Sequence, residues 1–165
     1  MAELPKRKPN RLNNYDYSKN GMYFITICSD NKKCIFSKIV GQGLAPAEVR
    51  LSEYGKIAEE QLLLLKNRYS TIDINKFVIM PNHIHIILTI NNKAAGASPC
   101  PTVSDIICTY KSLTTKMCKN AGYQNKKIFQ NSFYDHIIRN DEDYITKAQY
   151  IENNPAKWRE DKYHS

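Results

Sequence analysis

Four histidines occur in the chain, and two of them, His83 and His85, stand one residue apart in the segment Met80-Pro-Asn-His-Ile-His-Ile-Ile-Leu. Side chains alternate across a strand, so His83 and His85 point to one face while Ile84, Ile86 and Leu88 point to the other. Two imidazoles on one face can converge on a divalent cation. The same pair also fits two hydrogen-bonded surface histidines, so H-x-H alone leaves both readings open. A cation that binds phosphate needs a further oxygen donor and open positions for substrate. Tyr150 and Asn154 lie four residues apart and therefore on one face of a helix. Asn154 can offer a carbonyl oxygen to a metal while Tyr150 presents its phenol to a phosphate beside it. Pro155 follows at once and marks the point where the helix unwinds. The sequence holds eleven tyrosines. Tyr110 and Tyr144 fall on apolar helical seams and read as packed residues, whereas Tyr150 lies on a polar flank with Asp143 and Lys147.

These side chains need elements to hold them. Met22 to Cys28 is β-branched and aromatic and reads as a strand. A weaker strand follows over Cys34 to Val40, and then a loop marked by Gly41, Gly43 and Pro46. Ser52 is placed to cap a helix running to about Arg68, with Tyr54, Ile57, Ala58, Leu62 and Leu65 on one face. Ile72 to Met80 and His83 to Ile90 read as a hairpin around Pro81-Asn82. The stretch from Asn91 to Thr102 reads as a loop. A helix over Val103 to Lys119 carries Val103, Ile106, Ile107, Tyr110, Leu113 and Met117 as its apolar stripe. A strand is expected over Phe133 to Ile138. A last helix starts at Asn140, with Asp141, Glu142 and Asp143 in the first turn where the helix dipole favours anions. With the weak strand set aside, the order is βαββαβ, an α+β fold of the ferredoxin-like type. Its sheet is antiparallel with helices on one face, and a C-terminal helix is added.

The 165 residues fit one domain, read as a basic arm over 1–20 and a catalytic domain over 21–165. Lys and Arg number 24 against 16 acids, a net charge of +8 that favours a polyanionic partner such as nucleic acid. Candidate phosphate contacts are Lys6, Arg7, Lys8, Lys111, Lys116, Lys126, Lys127 and Arg139, although any single one is more often a solvated surface charge. His136 is a candidate supporting or DNA-contacting residue. The five cysteines are odd in number and lack zinc-knuckle spacing, which suits the thiols of a reducing cytosol. The first residues carry no apolar signal region and no run is long enough to span a bilayer. A soluble protein of a prokaryotic cytosol or nucleoid is expected.

Three blocks carry a family resemblance. Val78-Ile-Met-Pro-Asn-His-Ile-His-Ile-Ile-Leu resembles the HUH motif of single-tyrosine transposases, in which U is hydrophobic. Phe129-Gln-Asn-Ser-Phe-Tyr-Asp-His-Ile-Ile-Arg-Asn and Tyr150-Ile-Glu-Asn-Asn-Pro-Ala-Lys-Trp are similar to segments of REP-associated tyrosine transposases, as is the opening Tyr15-Asp-Tyr-Ser-Lys-Asn-Gly-Met-Tyr-Phe-Ile-Thr. The likeness extends from about Tyr15 to Trp158. The resemblance implies a ferredoxin-like fold, Mg²⁺ or Mn²⁺ as cofactor, and single-stranded DNA, in hairpin-forming repeats, as substrate. It carries the metal role to His83 and His85, the third ligand to Asn154 and the nucleophile to Tyr150. The family often has Trp-Gln-Arg where this chain has Phe129-Gln-Asn, so Asn131 lacks a basic side chain for a DNA contact. The implied activity is a DNA endonuclease and strand transferase working through a 5′-phosphotyrosine, as a monomer or homodimer. Two alternatives stand beside it: a non-catalytic nucleic-acid-binding module of the same fold, and a metal phosphodiesterase that uses water and can dispense with Tyr150.

Overall fold

A computed structural model describes residues 14–17, 19–41, 46–92 and 100–164. Its elements are strand β1 (Gly21–Cys28), β2 (Ser37–Val40), β3 (Glu48–Leu51), helix α1 (Glu53–Arg68), β4 (Ile72–Ile79), β5 (His83–Ile90), α2 (Val103–Asn120), β6 (Tyr134–Ile138) and α3 (Asp141–Asn153). The main sheet has the order β4-β5-β1-β6 with every neighbouring pair antiparallel. That is the strand order of the ferredoxin-like fold, in which each helical crossover skips over one strand and both crossover helices land on the same face.

The helix starts follow from local chemistry. Ser52 Oγ accepts from Gly55 N at 3.0 Å and caps α1. Thr102 and Asp105 form a reciprocal capping box on α2. Asn140 Oδ1 accepts from Asp143 N at 2.8 Å and caps α3. Gly55 is required by close approach: a Cβ there would lie 1.9 Å from the Phe36 carbonyl oxygen.

One face of the sheet is apolar. Tyr23, Ile25 and Ile27 of β1 and Ile84, Ile86 and Leu88 of β5 are fully buried there against Ala58, Leu62 and Leu65 of α1 and Ile106, Ile107 and Tyr110 of α2. The Tyr110 hydroxyl donates to Ala58 O at 3.0 Å, so this tyrosine is a core residue with its one polar atom satisfied. The opposite face carries α3, which packs through a much smaller cluster of Phe24, Ile87 and Ile151 with Val78, Ile138, Tyr144 and Ala148 around it. The added helix therefore lies across the sheet from the other two.

The region after β1 differs from the sequence expectation. The weak strand is present as β2, but it pairs with β3 in a separate two-stranded ribbon. Glu48–Leu51 was expected within a loop region. Its pattern of alternating exposed and half-buried residues is too short to stand out beside Gly41, Gly43 and Pro46, and only its partner strand defines it. Lys6, Arg7 and Lys8 and most of the expected basic arm lie outside the described residues.

Candidate active site

Strand β5 positions the two histidines. His83 pairs with Cys28 of β1, and His85 lies between Thr26 of β1 and Val78 of β4. Their ring centroids are 4.5 Å apart. They are not open to solvent, as a ligand pair on a bare sheet face would be: His83 is 0% and His85 1% exposed. The cover comes from α3 and from the segment after it. Tyr150 packs edge-on against His85 with centroids 5.1 Å apart. Tyr163 lies 4.6 Å from the His83 ring, and Trp158 6.0 Å from it.

Each imidazole has one nitrogen held and one left over. Asn82 Nδ2 donates to the carbonyls of Tyr163 and Lys32 at 2.8 and 3.3 Å, which turns its Oδ1 toward His83 Nδ1 at 2.9 Å. Because that oxygen only accepts, His83 carries its proton on Nδ1 and presents the lone pair of Nε2. Thr26 Oγ1 lies 2.8 Å from His85 Nδ1. The Nε2 atoms of both histidines are buried without a hydrogen-bond partner. Second partners that orient ring nitrogens in this way are the usual support of metal-binding histidines. Burial pushes the His83 pKa down to about 4, against the opposing pull of Asp161. Burial, and then the neighbouring His83, push His85 well down too. Both rings are neutral at pH 7, the protonation state that binds cations.

Asn154 sits at the end of α3 in a helical conformation, with its N–H still bonded to Ile151 O. It is 3% exposed, and its Oδ1 is buried and unpartnered. Its Nδ2 donates to Asp161 Oδ2 at 2.8 Å. Burial raises the Tyr150 pKa, and so does the charge of Asp161, while Lys162 and a hydrogen bond with Asn154 oppose them. Tyr150, Asn154, Asp161, Lys162 and Gln149 line a cleft of about 470 Å³ beside the histidines. The structure thus brings together the four residues singled out in the sequence, His83, His85, Tyr150 and Asn154.

Sequence reasoning missed Asp161, Tyr163, Trp158, Asn82 and Thr26. Asn82 carried a signal, since it directly precedes His83, whereas the pairing of Thr26 with His85 appears only in the register of β1 against β5. Asp161, Tyr163 and Trp158 follow Pro155, where no periodicity indicates which way the chain turns.

The candidate DNA contacts have different surroundings. Lys111 is half-buried, and its Nζ donates to the carbonyls of Gln130, Asn131 and Ser132 at 2.7, 3.4 and 3.0 Å. Its donors clasp α2 to the loop before β6. Lys126 and Lys127 are exposed and line a separate cleft of about 350 Å³, and Lys127 donates to Asn131 Oδ1. Lys116 and Arg139 are exposed. His136 Nε2 lies 2.8 Å from Asp143 Oδ2, at the start of α3 and not among the residues lining the cleft.

No described helix is long and apolar enough to cross a membrane. Residues 55–154 match the family described as Transposase IS200 like. The chain is 31% identical to an uncharacterized protein of Haemophilus influenzae over 97% of this chain and 94% of that one. It is 23% identical to the REP-associated tyrosine transposase of Escherichia coli over 86% of this chain and 70% of that one. A solved structure of a REP-associated tyrosine transposase bound to a REP hairpin has the same fold, with a TM-score of 0.64 and 23% identity, covering 90% of this chain and 74% of that one. The chain belongs to the IS200-like transposase family, and REP-associated tyrosine transposases are among its relatives.

Proposed function

We propose that the protein cleaves and rejoins single-stranded DNA, with Tyr150 as nucleophile and a divalent cation, Mg²⁺ or Mn²⁺, held by His83, His85 and Asn154. The observation that carries this reading is the approach of Tyr150 to within 5.1 Å, ring to ring, of a histidine whose outer nitrogen is buried and unpartnered. The donor set fits such an ion: two neutral imidazoles, each with an unpartnered Nε2, and an unpartnered amide oxygen. Bound there, the cation would polarise the scissile phosphate and favour phenolate over phenol.

The protein's own groups then have separable tasks. Burial raises the Tyr150 pKa in the metal-free protein, so the phenol has to lose its proton to become the nucleophile. The phenolic oxygen forms a bond to phosphorus and the bond from phosphorus to the 3′ oxygen breaks. That oxygen takes up a proton and leaves as a 3′-OH, while the 5′ end stays on Tyr150 as a phosphodiester. The ester conserves the bond, so a second 3′-OH can attack it and rejoin strands, which hydrolysis by water would not allow. Asn154, one turn beyond Tyr150, fixes the helix end against the histidines, and this positioning accounts for much of the rate. Exposed Lys116, Lys126, Lys127 and Arg139 supply phosphate contacts, and Lys6, Arg7 and Lys8 add basic charge that favours the same polyanion. A hairpin-forming repeat is the substrate this reading favours, in keeping with the REP hairpin bound by the similar transposase.

The test is covalent trapping. The protein is incubated with labelled single-stranded hairpin oligonucleotides and Mn²⁺ and run on a denaturing gel. A labelled adduct that needs Mn²⁺, is abolished by EDTA and maps to the Tyr150 peptide is the expected outcome. Cleavage without an adduct would favour water as nucleophile, and full activity in EDTA would remove the cation from the reaction.

A further inference from the structure

The segment after α3 returns a carboxylate to the histidines. Asp161 Oδ2 lies 3.8 Å from His83 Nε2, and the two side chains are 1% and 0% exposed. Donor atoms of His83, His85 and Asp161 all lie within 4.8 Å of one another. Donors on one small divalent ion sit about 3 Å apart when adjacent and about 4.2 Å when opposite, for bonds near 2.1 Å. The cluster is therefore near the size that one ion would draw together.

The hydrogen-bond network sharpens the case. Asn82 keeps the His83 proton on Nδ1, so His83 Nε2 and Asp161 Oδ2 face each other as two acceptors. Two lone pairs buried at this distance repel unless a cation lies between them. Among the described residues, His83 is the only salt-bridge partner of Asp161. A buried carboxylate without a cation is costly, yet the chain holds it firmly. Asn154 Nδ2 donates to Oδ2 at 2.8 Å and Tyr163 N to Oδ1 at 2.7 Å.

We propose that Asp161 is a ligand of the cation at His83 and His85, supplying the one negative charge in the donor set, and that Asn154 positions it. The proposal rests on the metal reading above. It adds a donor from outside the helix that carries the nucleophile, and it gives Asn154 two tasks, its Oδ1 toward the cation and its Nδ2 toward the carboxylate. It also favours a hard cation, Mn²⁺ or Mg²⁺, over a softer one.

Mn²⁺ binding to the purified full chain, without DNA, tests this by electron paramagnetic resonance titration. Wild type binds one ion and His83→Ala loses it. Asp161→Asn, nearly the same size, should bind on the order of tenfold more weakly or worse. At one Mn²⁺ concentration the Tm of wild type should also rise more than that of Asp161→Asn. Binding by Asp161→Asn as tight as wild type overturns the proposal. Tighter binding overturns it too, because Asp161 would then obstruct the ion. If Asp161→Asn does not fold, a wild-type crystal soaked in Mn²⁺ decides: anomalous density about 2.1 Å from an Asp161 oxygen is expected, and an ion bonded to the histidines but not to Asp161 refutes it. A wild type that binds no Mn²⁺ removes the underlying metal reading instead, an outcome distinct from equal binding by the two proteins.

Discussion

The two faces of the sheet are built from the same strands by opposite rules. Along β5, Ile84, Ile86 and Leu88 enter a large apolar core whose polar atoms are few, among them the paired Tyr110 hydroxyl and the unpaired Thr114 hydroxyl. His83 and His85, on the alternate positions of the same strand, enter a cluster where three polar atoms, two imidazole nitrogens and the Asn154 oxygen, are buried and unpaired. Stability is concentrated on the first face. On the second, the protein accepts unpaired polar atoms that hydrogen bonding would ordinarily satisfy. Functional sites are where such departures from local consistency are expected.

Substitutions can sharpen or break this contrast. The largest effect is expected from Tyr150→Phe on the site face: the DNA adduct disappears on a denaturing gel, while the thermal midpoint stays close to wild type because the side chain is 37% exposed. An adduct on another tyrosine would move the nucleophile and leave the two-face contrast standing. Next is Leu62→Ala on the core face, where Leu62 is fully buried. Chemical denaturation should show a loss of about 2–5 kcal/mol, with Mn²⁺ binding by the folded protein unchanged. Loss of binding at unchanged stability would mean that the faces are coupled more tightly than their packing indicates.

A third expectation concerns acid. His83 and His85 are held neutral by burial, His83 down to about 4, against an ordinary value of 6.5. Between those values the unfolded chain binds protons that the folded chain refuses, so stability rises with pH there and falls as pH drops from 6.5 toward 4. The metal-free protein should lose roughly several degrees of Tm across that window. His83→Gln should flatten the slope, and an identical slope in that variant would assign the loss to other groups. The smallest effect is expected from Tyr110→Phe, which removes the extra hydrogen bond to the Ala58 carbonyl at a cost of about 1 kcal/mol and leaves adduct formation intact.

Much of this arrangement was legible in the residues themselves. The alternation of Ile84, Ile86 and Leu88 with His83 and His85 fixes which side of β5 is core, because the strand period is two. The spacing of Tyr150 and Asn154 puts both on one side of α3 for the equally local reason of helical period. Neither period says which sheet face α3 covers. That depends on Phe24, Ile87 and Ile151 meeting across the sheet, a contact between three distant segments. Asp161 was illegible for a related reason. Past Pro155 the chain takes a short 3₁₀ turn, Trp158–Glu160, and its path is set by Trp158 and Tyr163 finding the His83 ring. A lone acid in such a stretch reads as a surface charge until the fold returns it to the sheet.

The unequal anchoring of the two halves of the site has a consequence for local opening. The histidines ride on a strand hydrogen-bonded on both sides, to β4 and to β1. Tyr150 rides on a helix held by a small apolar cluster and an ion pair between Lys76 and Glu152. Amide hydrogens of β5 should exchange only through global unfolding, whereas those of α3 should exchange through a smaller, sub-global opening. A DNA end carried on Tyr150 would travel with the helix, and the donors on β5 would remain the fixed point to which it returns.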